Sequence, residues 1–192
     1  MRAVTDSERE QRMRELVHVV AEPVRRYLRR RTDAATADDV LGDVLLVCWR
    51  RLDDVPDDPL PWAIVVARNG LANARRAERR RTRLVGKIIA IDPPASAASD
   101  ATSDAAGDAT GAAAARLHAA LARLRRDDAE LLRLWAWEEL SSPQLAVVLG
   151  ISANAAAIRL HRAKARLKAE LRKDDESTGH EMHEEGSTDD RR

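Results

Sequence analysis

The chain has 192 residues, 44% of them hydrophobic and 34% charged, with 33 Lys and Arg against 32 Asp and Glu. No apolar run approaches the roughly 20 residues of a bilayer-spanning helix, and no apolar signal-peptide core follows Met1. The single cysteine, Cys48, excludes an internal disulfide framework and a multi-cysteine zinc site. The expectation is a cytoplasmic chain of one large or two small domains without membrane insertion. Its richness in Ala, Leu and Arg, with eight glycines in no phosphate-binding pattern, points to packed helices and against a nucleotide-binding α/β fold.

The near-zero net charge conceals a partition. Residues 1–91 carry +5, residues 92–115 carry −4, residues 116–173 carry +6 and residues 174–192 carry −6. Two basic modules in one chain suggest a polyanionic partner, and nucleic acid is the obvious one.

In the first module Met13, Leu16, Val17, Val20, Val24, Tyr27 and Leu28 recur at helical spacing, with Arg14, Arg25, Arg26 and Arg29 to Arg31 outside the stripe. Pro23 lies within this run and removes one backbone donor, so a kink or two short helices are expected there. Thr36-Ala37-Asp38-Asp39 announces a second helix, with Thr36 as its cap and the acids in its positively polarised first turn. Val40, Leu41, Val44, Leu45, Cys48, Trp49 and Leu52 are its apolar positions. Cys48 falls on the buried face and reads as inert packing.

Residues 52–61 form a Pro- and Asp-rich loop, and Pro61 suits the first turn of a third helix. That helix is apolar from Trp62 to Leu71, with Arg68 and Asn69 embedded, and becomes an arginine-rich rod from Asn73 to Arg81. Clustered guanidinium groups repel one another without a partner and suit forked contacts with phosphate; the bland alternative is a solvated helix end. Trp62 reads either as a core or cap aromatic or as a stacking platform for a base.

The spacer that begins Asp92-Pro93-Pro94 and ends at Gly111 holds almost no large apolar residue, so it cannot offset the entropy of ordering and reads as a flexible tether. In the second module Leu117, Leu121 and Leu124 make one stripe, and Leu131, Leu132, Leu134 and Trp135 the next. A short helix then follows, capped by Ser141, with Pro143 in its first turn and Gly150 at its end. Ser152 caps the helix after it. Ala146 is small where the two helices cross, and Ile151 fills the gap. This is a helix-turn-helix, whose second helix carries Arg159, Arg162, Lys164, Arg166 and Lys168 opposite Leu160, Ala163, Leu167 and Leu171. A packing hairpin without a DNA role is the alternative. His161 can read a base or phosphate or make no contact. The acidic tail, residues 174–192, reads as disordered; its His180 and His183 have the spacing of two ligands on one helix face, but nothing apolar around them builds a rigid metal site.

Together these modules resemble a bacterial RNA polymerase sigma factor of the extracytoplasmic-function (ECF) class of the sigma-70 family. Asp39-Val40-Leu41-Gly42-Asp43-Val44-Leu45 with Trp49-Arg50 resembles the region-two helix that docks on the polymerase clamp. Pro61-Trp62 through Ala67-Arg68-Asn69 to Asn73, Arg75 and Arg76 resembles the helix that melts and reads the minus-ten element. Leu140-Ser141, Leu145-Ala146, Leu149-Gly150-Ile151-Ser152 and Arg159-Leu160-His161-Arg162-Ala163 resemble the minus-thirty-five reader. Gly42 stands where the family commonly has Gln, at a propensity cost of about 1 kcal/mol. Gln144 stands where Glu is usual, and Ala157 where Lys or Arg is common.

The resemblance implies an all-α fold of two small helical domains, region two over residues 1–91 and region four over 116–173, joined by a flexible acidic linker at 92–115 and followed by the tail. It implies core polymerase contacts at clamp and flap, with Asp39, Asp43, Leu46, Trp49 and Arg50 docking on core polymerase. It implies minus-ten contacts from Trp62, Arg68, Asn69, Asn73, Arg75, Arg76, Arg79 and Arg80 to melted non-template strand, and a base pocket in the loop at 52–61. Minus-thirty-five duplex contacts fall to Ser152, Asn154, Ala155, Arg159, His161, Arg162, Lys164 and Arg166. No catalytic residue, metal or cofactor is implied. An anti-sigma partner and nucleoid association within the holoenzyme are. The rival reading is a stand-alone helix-turn-helix regulator that binds duplex DNA without core polymerase. A helical hydrolase or nuclease lacks any nucleophile and base pairing in this sequence.

Overall fold

The computed structural model describes residues 6–89 and 109–184, with side chains over 6–83 and 111–173. Among the described residues the regular structure is helical: α1 (Asp6–Arg29), α2 (Ala34–Arg50), a 3-10 turn (Leu52–Asp54), α3 (Pro59–Ile89), α4 (Ala109–Arg123), α5 (Arg126–Trp137), α6 (Ser142–Leu149) and α7 (Ala153–Glu184). No single helix among them is long and apolar enough to cross a membrane. The chain divides into two compact units, one made of α1 to α3 together with Val147–Gly150 at the end of α6, the other of α4, α5, the start of α6 and α7. Residues 92–108 of the expected tether and the tail beyond Glu184 lie outside the described residues.

In the first unit each of the three helices packs on the other two. Leu16, Val20, Val24, Tyr27 and Leu28 of α1 meet a core completed by Val40, Leu41, Val44 and Cys48 of α2 and by Ala63, Ile64, Ala67 and Leu71 of α3. Met13 and Val17, placed in the buried stripe from sequence, are only half-buried. Pro23 does not split α1, which runs unbroken from Asp6 to Arg29. Val20 and Val24 beside it are fully buried, and that packing outweighs one lost hydrogen bond.

The cap of α2 is Asp33 and not Thr36. The Asp33 carboxylate accepts from Thr36 N at 2.9 Å and from the Thr36 hydroxyl at 2.8 Å, so the helix starts at Ala34. These two bonds hold the Asp33 carboxyl below its ordinary value. A folded value below the unfolded one makes the cap's contribution complete above about pH 4 and lost as pH falls through the folded value. The stability difference between wild type and Asp33→Ala, measured by thermal melts, is therefore expected to hold from neutral pH to about pH 4 and to shrink as pH falls further.

The third helix begins at Pro59, two residues earlier than Pro61 suggested, and Pro61 is buried inside its first turn. Gly70 permits α3 to approach α2: a Cβ there would lie 2.8 Å from Val40 Cγ1. Val40 is 4% exposed and β-branched, so its methyl has little rotamer freedom to withdraw. Gly70→Ala is expected to destabilise the first unit by about 1 kcal/mol net, because overpacking exceeds the gain in helix propensity. Urea melts of Gly70→Ala, Val40→Ala and the double variant check this, since the pair must cost less than the sum of the singles.

In the second unit α7 packs on α4 and α5. The linker expected over 92–115 does not extend to its C-terminal end, because α4 already begins at Ala109. Alanine is the best helix former, and the segment is anchored downstream by buried Ala120 and Leu121. At the start of α6, Ser141 N donates to Gln144 Oε1 at 2.9 Å and Gln144 N to Ser141 Oγ at 3.4 Å, a reciprocal capping box. Gln144 thus does the work of the Glu usual there. The helix ends in a Schellman arrangement, with Ile151 N donating to Ala146 O at 3.0 Å, Gly150 N to Val147 O at 3.4 Å, and Gly150 at φ +65°. Ala155 N then donates to Ser152 Oγ at 3.2 Å to cap α7. The disordered tail expected from residue 174 is corrected in its first part: α7 continues to Glu184. Helix propagation adds one hydrogen bond per residue to an existing nucleus, whatever the apolar content of the extension.

Candidate nucleic-acid and polymerase interfaces

On α2 the core buries one side, and Asp39, Gly42, Asp43, Leu46, Trp49 and Arg50 all lie on the exposed side. Their spacing of three or four residues, with two adjacent pairs, makes one stripe on a 3.6-residue helix. Leu46 is 44% and Trp49 38% exposed, apolar surface that the fold leaves uncovered. A Cβ at Gly42 meets nothing within 4 Å, so this glycine serves no packing within its unit. The expected docking residues are thus brought together. Arg9 lies 5.0 Å over the Trp49 ring and covers one part of it.

The candidate residues of α3 sort into two lines. Trp62, Asn69, Asn73, Arg76 and Arg80 are seven, four, three and four residues apart and therefore aligned; Arg68, Arg75 and Arg79 form a second line about a third of a turn away. All are exposed except Trp62, which is half-buried at the start of the helix. Arg76 donates to Asn73 Oδ1 at 2.6 Å and to Ala72 O at 3.2 Å, so the two side chains act as one polar unit. Arg75 donates to Arg31 O at 3.0 Å, which ties the rod to the end of α1. The stripe with both asparagines and the indole can present amides and a ring to bases, and the second line is guanidinium throughout. Cys48 is fully buried beneath these helices, and burial pushes its thiol up, consistent with packing rather than reactivity.

On α7 the solvent-facing ridge is Asn154, Ile158, His161 and Arg162. Ser152 and Ala155 stand at the helix start, and Arg159 flanks the ridge. Ile158, 44% exposed, was not singled out from the sequence, although its position four residues from both Asn154 and Arg162 places it between them. An apolar side chain there suits a thymine methyl group. Two of the expected contact residues also have partners on α5. Arg166 is bonded to Asp128 of α5, whose side chain is 9% exposed, and Lys164 Nζ sits 3.4 Å above the Trp135 ring of α5. A basic residue on this helix that faces α5 finds a carboxylate or an aromatic ring first, and the sequence offered no means of telling the two edges apart. Arg159 lies 3.8 Å from Asp127, itself 80% exposed. Arg125, Asp127, Asp128, Arg159, Arg162 and Arg166 line one cavity of about 240 Å³, with four guanidinium groups against two carboxylates.

Two helical units, one with a stripe of arginine and asparagine and the other with a capped helix-turn-helix, define a two-module helical protein with basic faces on both modules. Residues 16–81 match the family described as Sigma-70 region 2, and residues 114–167 match Sigma-70, region 4. These stretches cover more than half of the chain, in the order the sequence resemblance implied; the chain belongs to the sigma-70 family of RNA polymerase sigma factors. It is 31% identical over 118 residues to the RNA polymerase sigma factor NccH of Alcaligenes xylosoxydans xylosoxydans, a match that covers 60% of this chain and spans 62% of NccH. Among solved structures it is similar to CnrH in complex with the cytosolic domain of CnrY, at a TM-score of 0.50 and 23% identity over 88% of this chain and 91% of that one. It also matches the sigma factor RpoE in complex with the anti-sigma factor NepR from Bartonella quintana, at 0.47 and 17% over 86% and 95%. The family is not a catalytic one.

Proposed function

We propose that this chain docks on core RNA polymerase through the exposed stripe of α2, holds melted minus-ten DNA along α3 and reads the minus-thirty-five duplex with the start of α7. The observation that carries this reading is the exposed surface of α3: Trp62, Asn69 and Asn73 share one line with Arg76 and Arg80, so one face offers a ring and amides to bases and guanidinium groups to the phosphates that follow, and Arg68, Arg75 and Arg79 add further charge about a third of a turn away. Asn154, Ile158, His161 and Arg162 give the second domain a face for the major groove, with Ser152, Ala155 and Arg159 at its edge. Region two extends over residues 1–91 and region four from α4 onward, with the connection between them adjusting to promoter spacing. Initiation then takes place in the cytoplasm, within a nucleoid-associated holoenzyme. The exposed apolar groups Leu46, Trp49 and Trp135 also suit an anti-sigma protein, in keeping with the complex of CnrH with CnrY.

Run-off transcription from a genomic promoter library, with host core polymerase and with or without the protein, tests this. The expected result is a set of discrete new start sites that disappear when Arg75, Arg76, Arg79 and Arg80 are replaced by Ala. Tight duplex binding by the protein alone, with no core-dependent initiation, favours a stand-alone regulator instead.

A further inference from the structure

The first turns of α1 reach across the first unit to the loop between α2 and α3. Arg12 donates to Asp53 Oδ1 at 3.0 Å and to Leu52 O at 3.2 Å. Arg9 donates to Trp49 O at 2.9 Å, lies 3.7 Å from Asp53 Oδ2, and stacks its guanidinium 5.0 Å over the Trp49 ring. Two arginines one helical turn apart thus hold a ring, two backbone carbonyls and a carboxylate at the point where α2 ends. Each pair alone is partly exposed and weak. Acting together on consecutive groups, they fix where the loop leaves α2 and how it begins.

Arg9 and Arg12 precede the stretch that matches region two, which starts at residue 16. Their targets lie within it. Neither residue belongs to the hydrophobic core, whose first member on α1 is Leu16.

We propose that Arg9 and Arg12 are positioning residues for promoter specificity: they clamp the start of the loop at 52–58 so that it forms one preorganised pocket for an unstacked minus-ten base. This rests on the reading of that loop as the base pocket. A pocket that selects one base by hydrogen bonding must be held in place, because a loop that shifts by an ångström accepts other bases equally well. The clamp acts on base choice; because Arg9 also covers part of the Trp49 ring in the docking stripe, binding to core polymerase is measured beside base preference.

The test uses the full chain with host core polymerase on promoter templates randomised across the minus-ten element. Wild type is compared with Arg9→Ala/Arg12→Ala, Arg9→Lys/Arg12→Lys, and a variant with residues 55–58 replaced by Gly and Ser. The expected result for the double alanine variant is initiation at the same start sites, with preference at one minus-ten position falling from about tenfold or more to about twofold. Preference at the minus-thirty-five element stays unchanged. The lysine pair, which keeps both charges, restores part of the minus-ten preference. Hydrogen exchange at 52–58 in the free protein quickens in the alanine variant while core amides of α2 and α3 do not change. Unchanged base preference in the alanine variant overturns the clamp, as does a uniform fall in activity that tracks lost thermal stability. If the loop replacement also leaves minus-ten preference intact, the reading of the loop as the base pocket fails, and the clamp proposal falls with it.

Discussion

Leu134→Ala is expected to unfold the second unit and leave the first one folded. Leu134 is fully buried in α5, and its carbonyl accepts from Leu140 N at 3.3 Å, where the chain turns toward α6. Truncating a buried leucine costs about 2–5 kcal/mol through lost transfer energy and the cavity left behind. A helical domain of this size commands only about 3–5 kcal/mol in total. One substitution therefore removes most or all of its stability. The first unit has its own core around Val20, Val44 and Ile64, each at most 1% exposed. Segment-resolved hydrogen exchange is the measurement: amides from Leu131 to Ala163 approach unfolded rates, while those of α1, α2 and the first half of α3 keep their protection. Promoters that depend on the minus-thirty-five element fall silent, and binding to single-stranded minus-ten DNA survives. Equal loss of protection in both units contradicts the assignment of two independent cores.

Periodicity made the helices legible because each buries one continuous stripe, and the signals at α6 and α7 were local. Ser141, Gly150 and Ser152 act on backbone groups within a few residues of themselves, so the turn could be read before any packing was known. Where the outcome depended on a distant partner, the reading slipped. Pro23 looked disruptive because the buried contacts of Val20 and Val24 are tertiary, and Thr36 looked like a cap because Asp33 is an equally good one that competes for the same start. The site shows the same division. Exposure of the α2 stripe follows from spacing against its own apolar positions. The contacts of Arg166 and Lys164 with α5, and of Arg9 and Arg12 with the loop, connect residues 29 or more positions apart, and no spacing rule within one helix reports them.

Arg159 and Arg162 together are expected to supply about two of the phosphate contacts of the second domain. Replacing both by Ala should reduce the slope of log K against log salt by about 2 for duplex promoter DNA, since each neutralised phosphate contributes close to one released counterion. The loss falls on cognate and unrelated duplexes alike if the contacts are to phosphate; a loss confined to cognate DNA assigns them to base edges. Asp127 opposes Arg159 in the free protein, so Asp127→Asn is expected to tighten duplex binding, most visibly at low salt where its charge is least screened. Arg166 provides the contrast. It shares the same cavity and the same charge, yet it is bonded to the nearly buried Asp128. Arg166→Ala removes a charge-assisted bond worth about 1.5–3 kcal/mol and lowers the melting temperature, because Asp128 is left without its partner. Half of the Arg166 side chain is exposed, which places the cost at the lower end of that range. The salt slope stays the same. Three arginines lining one cavity thus separate by measurement, two through their dependence on salt and one through its effect on unfolding, because what each side chain touches in the free protein decides what it has left to give DNA.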